Sequence, residues 1–262
     1  MDDMSPGEVG EMTTPRETQV LEAVVTLVDS LLDDFDVVEL LTQLTENCTR
    51  LLDIASAGLL LVDPLGRLHL MAATSDRPHD LELFQLQSDE GPCLDCYLTG
   101  QPVSVADLRI ETSRWPAFVQ AATDAGFVSV HALPMRAGRT VLGALGLFGT
   151  SAGELTQSDL TVGQALAHIA SVAILQEHGP SETLVFPRLR GALASRVTVD
   201  QAKGVIRARF GVSVDDAFDL LRRYARVSAG HVTEISRALV GDRSVREQVL
   251  SGIDSMRSTR DA

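Results

Sequence analysis

A Gly-Pro-Ser break at residues 179–181 divides this 262-residue chain into two parts with different patterns. Before the break, apolar runs typical of strands, such as residues 55–63 and 140–150, alternate with stretches of helical spacing. After the break, no strand pattern occurs and the apolar residues keep helical spacing. The sequence therefore predicts an α+β chain: an antiparallel sheet with flanking helices, followed by a small all-α bundle of three helices.

The length is that of two ordinary domains, and the pattern predicts where each begins and ends. The expected divisions are a flexible tail at 1–15, a sheet domain at 16–178, a linker at 179–186, a helical domain at 187–245 and a C-terminal tail at 246–262. Within that last tail, residues 251–262 are expected to be frayed.

Three local signals mark the ends of elements. Asp-Pro-Leu-Gly at residues 63–66 predicts a turn between two strands. Thr156 and Ser213 each precede an aspartate by three residues, at Asp159 and Asp216, a spacing typical of a capped helix N-terminus. We therefore expect one helix to start after Thr156 and another after Ser213.

Charge is distributed unevenly along the chain. The 22 basic and 36 acidic residues give a formal net charge of −14. Residues 187–241 alone carry a net charge of +5, which predicts a polyanionic partner for the helical domain. Lys203 is the one lysine of the sequence. Because Gly-Val follows it, the chain has no P-loop nucleotide site. Because it lies in a helical pattern, it is not the strand lysine of a protein kinase.

A short motif in the helical domain narrows the choice of polyanion. Gln-Ala-Lys-Gly at 201–204, with Ala-Phe at 217–218 some 13 residues later, resembles the ANTAR domain over about 55 residues. That family is a three-helix RNA-binding module of transcription antitermination regulators. The resemblance implies binding to paired RNA stem-loops with hexanucleotide loops, usually by a dimer, in a form that excludes a terminator hairpin.

The resemblance and the charges together define candidate contacts. The candidate RNA-binding residues are Arg196, Gln201, Lys203, Gly204, Arg207 and Arg223. Lys203 and Arg207 suit phosphates, whereas Arg196 and Gln201 suit base edges. Gly204 permits close approach of either RNA or a neighbouring helix. The alternative is that these arginines form an ordinary solvated surface.

The first part of the chain resembles a GAF domain over about residues 36–176. The resemblance rests on the segments 89–108, 115–135 and the glycine-rich run 141–149. It implies a sensor and dimerisation fold, with a small-molecule ligand that remains unknown because such pockets bind many compounds or none. The Asn-Lys-x-x-x-Phe pattern of cyclic-nucleotide binders is absent from the sequence.

Two cysteines allow several interpretations. Cys93 and Cys96 are a possible redox pair, half of a zinc site, or two small buried side chains at the start of a helix. No metal is expected, since Cys48 and the six histidines offer no matching ligand pair. His131 lies in a predicted strand and either faces the pocket, where it would hold a haem or an acidic ligand, or is an ordinary histidine of the core or the surface.

Together these features predict a cytoplasmic, homodimeric regulator that is not an enzyme. Its expected partners are RNA stem-loops, and no DNA is expected. No membrane is expected either, because the longest apolar run, 141–148, has eight residues and the N-terminus lacks a signal core. Two alternatives stay open: a thiol enzyme or redox sensor that uses Cys93 and Cys96, and a DNA-binding regulator.

Overall fold

The computed structural model describes residues 16–75, 81, 85, 89–176 and 185–258. Five strands form one antiparallel sheet in the order β2-β1-β5-β4-β3. They are β1 (Ser56–Val62), β2 (Leu68–Ala73), β3 (Val103–Val105), β4 (Ser129–Ala137) and β5 (Thr140–Gly149). Every residue of β1 is buried, so both faces of the sheet are covered. The predicted antiparallel sheet is confirmed.

The glycine-rich strand β5 lies unusually close to β1. A Cβ atom added at Gly143 would lie 1.9 Å from the carbonyl oxygen of Leu60, so no larger residue fits without displacing the backbone. The predicted turn between β1 and β2 is also present. The N–H of Gly66 donates to the carbonyl of Asp63 at 3.0 Å, and Gly66 has a φ of +81°, which glycine adopts without strain.

In the described part of the chain, five helices with defined ends pack around the sheet or extend from it. They are α1 (Arg16–Leu32), α2 (Val37–Leu51), α3 (Pro92–Thr99), α4 (Pro116–Asp124) and α5 (Gln157–Gln176). The start of α5 is capped as predicted: Thr156 Oγ1 accepts the N–H of Asp159 at 3.1 Å, and an Asp159 carboxylate oxygen accepts the N–H of Thr156 at 3.0 Å. Among the described helices, α5 alone is long and apolar enough to cross a membrane, but half of its most apolar segment is buried inside the protein.

The C-terminal region is entirely helical in its described part. It comprises α6 (Val185–Phe210), α7 (Val214–Val227), α8 (Val232–Val240) and α9 (Arg243–Ser258). The predicted cap of α7 is confirmed, because Ser213 Oγ accepts the N–H of Asp216 at 3.0 Å. Helix α9 corrects the expectation of a C-terminal tail from residue 246 that is frayed from residue 251, since it packs Val249, Leu250 and Ile253 into the core. The expected tail at 1–15 and residues 179–184 of the expected linker lie outside the described residues.

Candidate nucleic-acid interface

Most predicted RNA-binding residues lie on α6, whose apolar side is buried against its neighbours. The buried positions of α6 are Leu189, Ala192, Val199, Ala202 and Ile206. The polar residues of α6 differ in exposure. Some are shielded near the sheet domain, and others face solvent.

Arg196 and Lys203 lie on the side that is turned away from solvent. Arg196 Nε is 3.0 Å from one carboxylate oxygen of Asp200, and Lys203 Nζ is 3.1 Å from the other. Arg196 is only 8 % exposed, and the Lys203 side chain 12 %. Lys203 also lies over the Phe218 ring, 5.4 Å from its centroid. Both cations are therefore already paired and shielded, which differs from the expected free contacts with bases and phosphates.

Arg196 also borders the sheet domain. A cavity of about 670 Å³ lies between α6 and the β1–β2 hairpin, and it is lined by Leu65, His69, Arg196 and Val197 among others. This position places Arg196 between the two domains and away from the outer surface of the helical domain.

Arg222 of α7 is held by two glutamates of α2. Its Nε donates to both carboxylate oxygens of Glu39, at 2.9 and 3.0 Å, and its Nη1 donates to Glu46 at 2.8 Å. Burial alone would lower the pKa of Arg222, but the charges of Glu39 and Glu46 outweigh this effect and raise it. We call Arg196, Lys203 and Arg222 the closed face, since carboxylates neutralise all three.

Asp36 joins the same two domains through the backbone. One of its carboxylate oxygens accepts the N–H groups of Val38 and Glu39, at 2.9 and 3.1 Å, and so caps α2. The other oxygen accepts the N–H of Thr233 at 2.6 Å, in the first turn of α8. His231, the N-cap residue of α8, makes no side-chain cap of its own. One sheet-domain carboxylate therefore caps helices in both domains.

Gln201, Gly204 and Arg207 are the candidate residues of α6 that are exposed to solvent. We call these residues the open face. A Cβ atom added at Gly204 would meet nothing within 4 Å, so no described helix requires glycine at this position. Of the two roles predicted for Gly204, close packing of a neighbouring helix is therefore not supported. Because an exposed glycine inside a helix costs about 1 kcal/mol relative to alanine, its presence here favours the approach of an external ligand.

Arg223 borders a second basic surface, of which the sequence predicted only Arg223 as an RNA-binding residue. A cavity of about 750 Å³ is lined by four arginines and two aspartates, namely Arg222, Arg223, Arg226, Arg257, Asp216 and Asp219. Arg223 and Arg226 form no ion pair with any residue in the described part of the chain. We call Arg223, Arg226 and Arg257 the arginine groove. The spacing of Arg223 and Arg226 was visible in the sequence, whereas Arg257 lies in the segment that was expected to be frayed.

The cysteine pair of the sheet domain is enclosed. Cys93 and Cys96 lie on α3, and both are fully buried. Burial raises the pKa of Cys96 to about 12, with the charge of Arg136 opposing the change, so this thiol is protonated at neutral pH. This environment fits the interpretation as small buried side chains and is unfavourable for a reactive thiolate.

His131 lies at one end of the sheet and is 2 % exposed. Burial lowers the pKa of His131, against the effects of a hydrogen bond with the Gly153 backbone and the charge of Glu154. Its Nδ1 atom has no hydrogen-bond partner among the described residues. The side chain borders a cavity of about 320 Å³ near the start of α5, so both predicted features, burial and a neighbouring pocket, are present.

Comparison with known proteins identifies both domains. A family model of the GAF domain matches residues 36–175, and a model of the ANTAR domain matches residues 188–240. Since the first match covers more than half of the sequence, this chain belongs to the GAF domain family. It carries an ANTAR domain, an RNA-binding domain, after the GAF domain.

Solved structures resemble the GAF part of the chain at low identity. The GAF domain of an Acinetobacter phosphoenolpyruvate-protein phosphotransferase is 14 % identical, with 65 % of this chain and 100 % of that chain covered and a TM-score of 0.49. The corresponding domain from Coxiella burnetii is 14 % identical, with 62 % and 95 % covered and a TM-score of 0.47. Free methionine-R-sulfoxide reductase from Neisseria meningitidis is 16 % identical, with 69 % and 95 % covered and a TM-score of 0.47. No curated protein matches the chain.

Proposed function

We propose that this chain is an RNA-binding transcription regulator that acts by antitermination. Its ANTAR domain binds paired stem-loops with hexanucleotide loops in nascent transcripts, and its GAF domain controls that binding. The observation that carries the proposal is the open face, where an exposed glycine within the Gln-Ala-Lys-Gly motif is flanked by Gln201 and Arg207. Unpaired loop bases suit such a face, because RNA-binding proteins read sequence mainly in single-stranded loops.

Binding to a designed RNA tests this proposal. The full chain is titrated with a tandem-hexaloop RNA and with a loop-scrambled copy at about 150 mM salt, where non-specific attraction is damped. We expect a clear preference for the intact loops. Equal, weak binding to both RNAs would overturn the proposal, and a preference for duplex DNA as competitor would favour a DNA-binding regulator.

Antitermination needs a separate measurement. A transcription template is built in which a terminator hairpin overlaps the second stem-loop. Addition of the protein should raise the fraction of transcripts that read through the terminator. The same template with scrambled loops serves as the control, and read-through that is equal on both templates would contradict this mechanism.

The contact between Arg222 and the two glutamates supports the proposed control by the GAF domain. It neutralises a cation of the RNA-binding domain with carboxylates of the sensor domain. A signal that displaces α2 would release Arg222 and uncap α8, since Asp36 lies on the same segment. Control then consists of a population shift between a docked and an undocked ANTAR domain.

We further propose that the chain forms a homodimer through α1. Its outer side carries exposed apolar residues at spacings of 4, 3 and 4, namely Leu21, Val25, Val28 and Leu32. This spacing is that of a coiled-coil seam, which a second copy of α1 would cover. Light scattering after gel filtration should show a dimer that Val25→Asp dissociates. Leu65→Glu, at another exposed apolar position, is the matched control; equal behaviour of the two variants would contradict this interface.

Both domains are regulatory, so we expect no catalytic activity. Since nascent transcripts are the proposed partner, we place the protein in the cytoplasm.

A further inference from the structure

Helix α9 lies beyond the ANTAR match, which ends at residue 240, yet it packs closely on the ANTAR helices. A Cβ atom at Gly252 would lie 2.5 Å from Cε2 of Tyr224 on α7, so only glycine allows this approach. Val249, Leu250 and Ile253 are buried on the same side of α9. The position of α9 beside α7 is therefore specific, and its last turn brings Arg257 to the arginine groove.

The end of α6 supplies an aromatic ring beside this groove. The Arg257 guanidinium lies 4.9 Å from the centroid of the partly exposed Phe210 ring, and the Arg209 guanidinium lies 5.5 Å from it. Guanidinium planes and aromatic rings both stack on unpaired bases. The groove thus combines unpaired cations with a stacking surface.

The acids at the edge of the groove help to identify the ligand class. Asp216 and Asp219 would repel an acidic peptide, which offers many carboxylates and few side-chain donors. A nucleic acid carries phosphates for the arginines and also base amino groups, from which a carboxylate can accept hydrogen bonds. A groove with both charges therefore suits a single-stranded nucleic acid better than it suits an acidic peptide.

We infer that α9 forms part of the RNA-binding surface, which extends beyond the ANTAR domain into the arginine groove. Arg223 and Arg226 hold phosphates there, while Arg257 and Phe210 stack on an unpaired base of the loop region. This inference rests on the proposed function, since it presumes that the ANTAR domain binds RNA.

The test measures RNA binding by the full chain with matched arginine variants. Arg257→Ala is compared with Arg243→Ala, which removes the same charge from the opposite end of the same helix. We expect Arg257→Ala to weaken binding to the tandem-hexaloop RNA about tenfold, and Arg243→Ala to weaken it less than about twofold. Arg226→Ala should also lower the slope of log affinity against log salt by about one.

A stacking readout separates a direct role of Arg257 from a structural one. When the RNA loop carries 2-aminopurine, binding of the wild-type chain should quench the fluorescence of this base. The variants Phe210→Leu and Arg257→Ala should reduce that quenching. Thermal melting identifies any variant that has merely lost its fold. In that case Arg226→Ala, which leaves the packed side of α9 intact, tests whether the arginine groove binds RNA.

The outcomes distinguish the inference from the proposed function. If the wild-type chain shows no loop preference, the proposed function fails. If it shows that preference but Arg257→Ala and Arg243→Ala bind RNA equally well, this inference alone is overturned. The inference is also overturned if a polyglutamate peptide competes with the RNA and the binding of this peptide depends equally on Arg257. The groove would then be a general anion site.

Discussion

The closed face and the open face belong to the same small domain and both carry cations, but their surroundings differ. Arg196, Lys203 and Arg222 each lie within 3.1 Å of a carboxylate oxygen. Arg207 and Gly204 face solvent with no such neighbour in the described part of the chain. The comparison shows that a positive charge count does not define an RNA-binding surface. What matters is which cations the protein itself has not already neutralised.

The largest effect is expected from separating the closed face from the GAF domain. Glu39→Ala with Glu46→Ala leaves the largely buried Arg222 without its partners. Since Glu46 is half exposed, we expect a loss of about 2 kcal/mol in the docking of the two domains, a factor of about 30 in the docking equilibrium constant. RNA affinity should therefore rise, and hydrogen exchange at the start of α8 should become faster.

The control for this experiment is Asp53→Ala with Asp124→Ala, which changes the net charge equally at exposed positions of the GAF domain outside α1 and the docking contacts. An equal gain of RNA affinity in this control would mean that total charge, not docking, limits binding. Unchanged hydrogen exchange in the Glu39/Glu46 variant would contradict a docked and an undocked state.

The second prediction compares one cation from each face. Arg207→Ala should weaken RNA binding about tenfold, because it removes an exposed phosphate contact. Lys203→Ala should weaken it less than about threefold, since Asp200 and the Phe218 ring already engage its ammonium group. Titration of both variants with the same RNA is the measurement. A larger loss for Lys203→Ala would reverse the assignment of the two faces.

Local features of both domains could be predicted from the sequence. The strand segments, the caps at Thr156 and Ser213 and the Gln-Ala-Lys-Gly motif all depend on residues that lie within a few positions of one another. Local chemistry fixes such features regardless of how the domains pack.

Contacts between distant segments could not be predicted. The carboxylate partners of Arg222 are 183 and 176 residues away along the chain, and Asp36 gives no local sign that it also caps α8. Helix α9 was not predicted, although Val249, Leu250, Ile253 and Met256 keep helical spacing. The division of the basic residues into two faces follows from these contacts.

The third prediction concerns Gly204 and has opposite signs for stability and binding. Gly204→Ala should stabilise the protein by about 1 kcal/mol, because alanine favours the helix and has open space around it. The same change should weaken RNA binding severalfold, since a methyl group would stand where the RNA approaches the helix. Thermal unfolding and RNA titration of the one variant measure both effects.

Thr198→Ala is the matched control, since it also raises helix propensity on α6 but lies outside the open face. It should be stabilising without any change in RNA affinity. If Gly204→Ala stabilises the protein and binds RNA as well as the wild-type chain does, the open face does not contact RNA at this position.

The smallest effect is expected from the cysteine pair. With a pKa of about 12, Cys96 holds about a thousandfold less thiolate at pH 8 than an ordinary cysteine does, so iodoacetamide should modify it very slowly in the folded protein. RNA affinity should change less than about twofold after such treatment. Urea-unfolded protein, in which the thiols are exposed, serves as the reference for full reaction.

Iodoacetamide modification of Cys96 also reports whether the GAF core stays packed when the ANTAR domain undocks. If undocking the ANTAR domain leaves the GAF core intact, the Glu39/Glu46 variant should react with iodoacetamide as slowly as the wild-type chain. Rapid modification of Cys96 together with altered RNA affinity would instead restore the redox interpretation, because the signal would then enter through the thiol. Rapid modification in the undocked variant alone would mean that the closed face also holds the sensor core together.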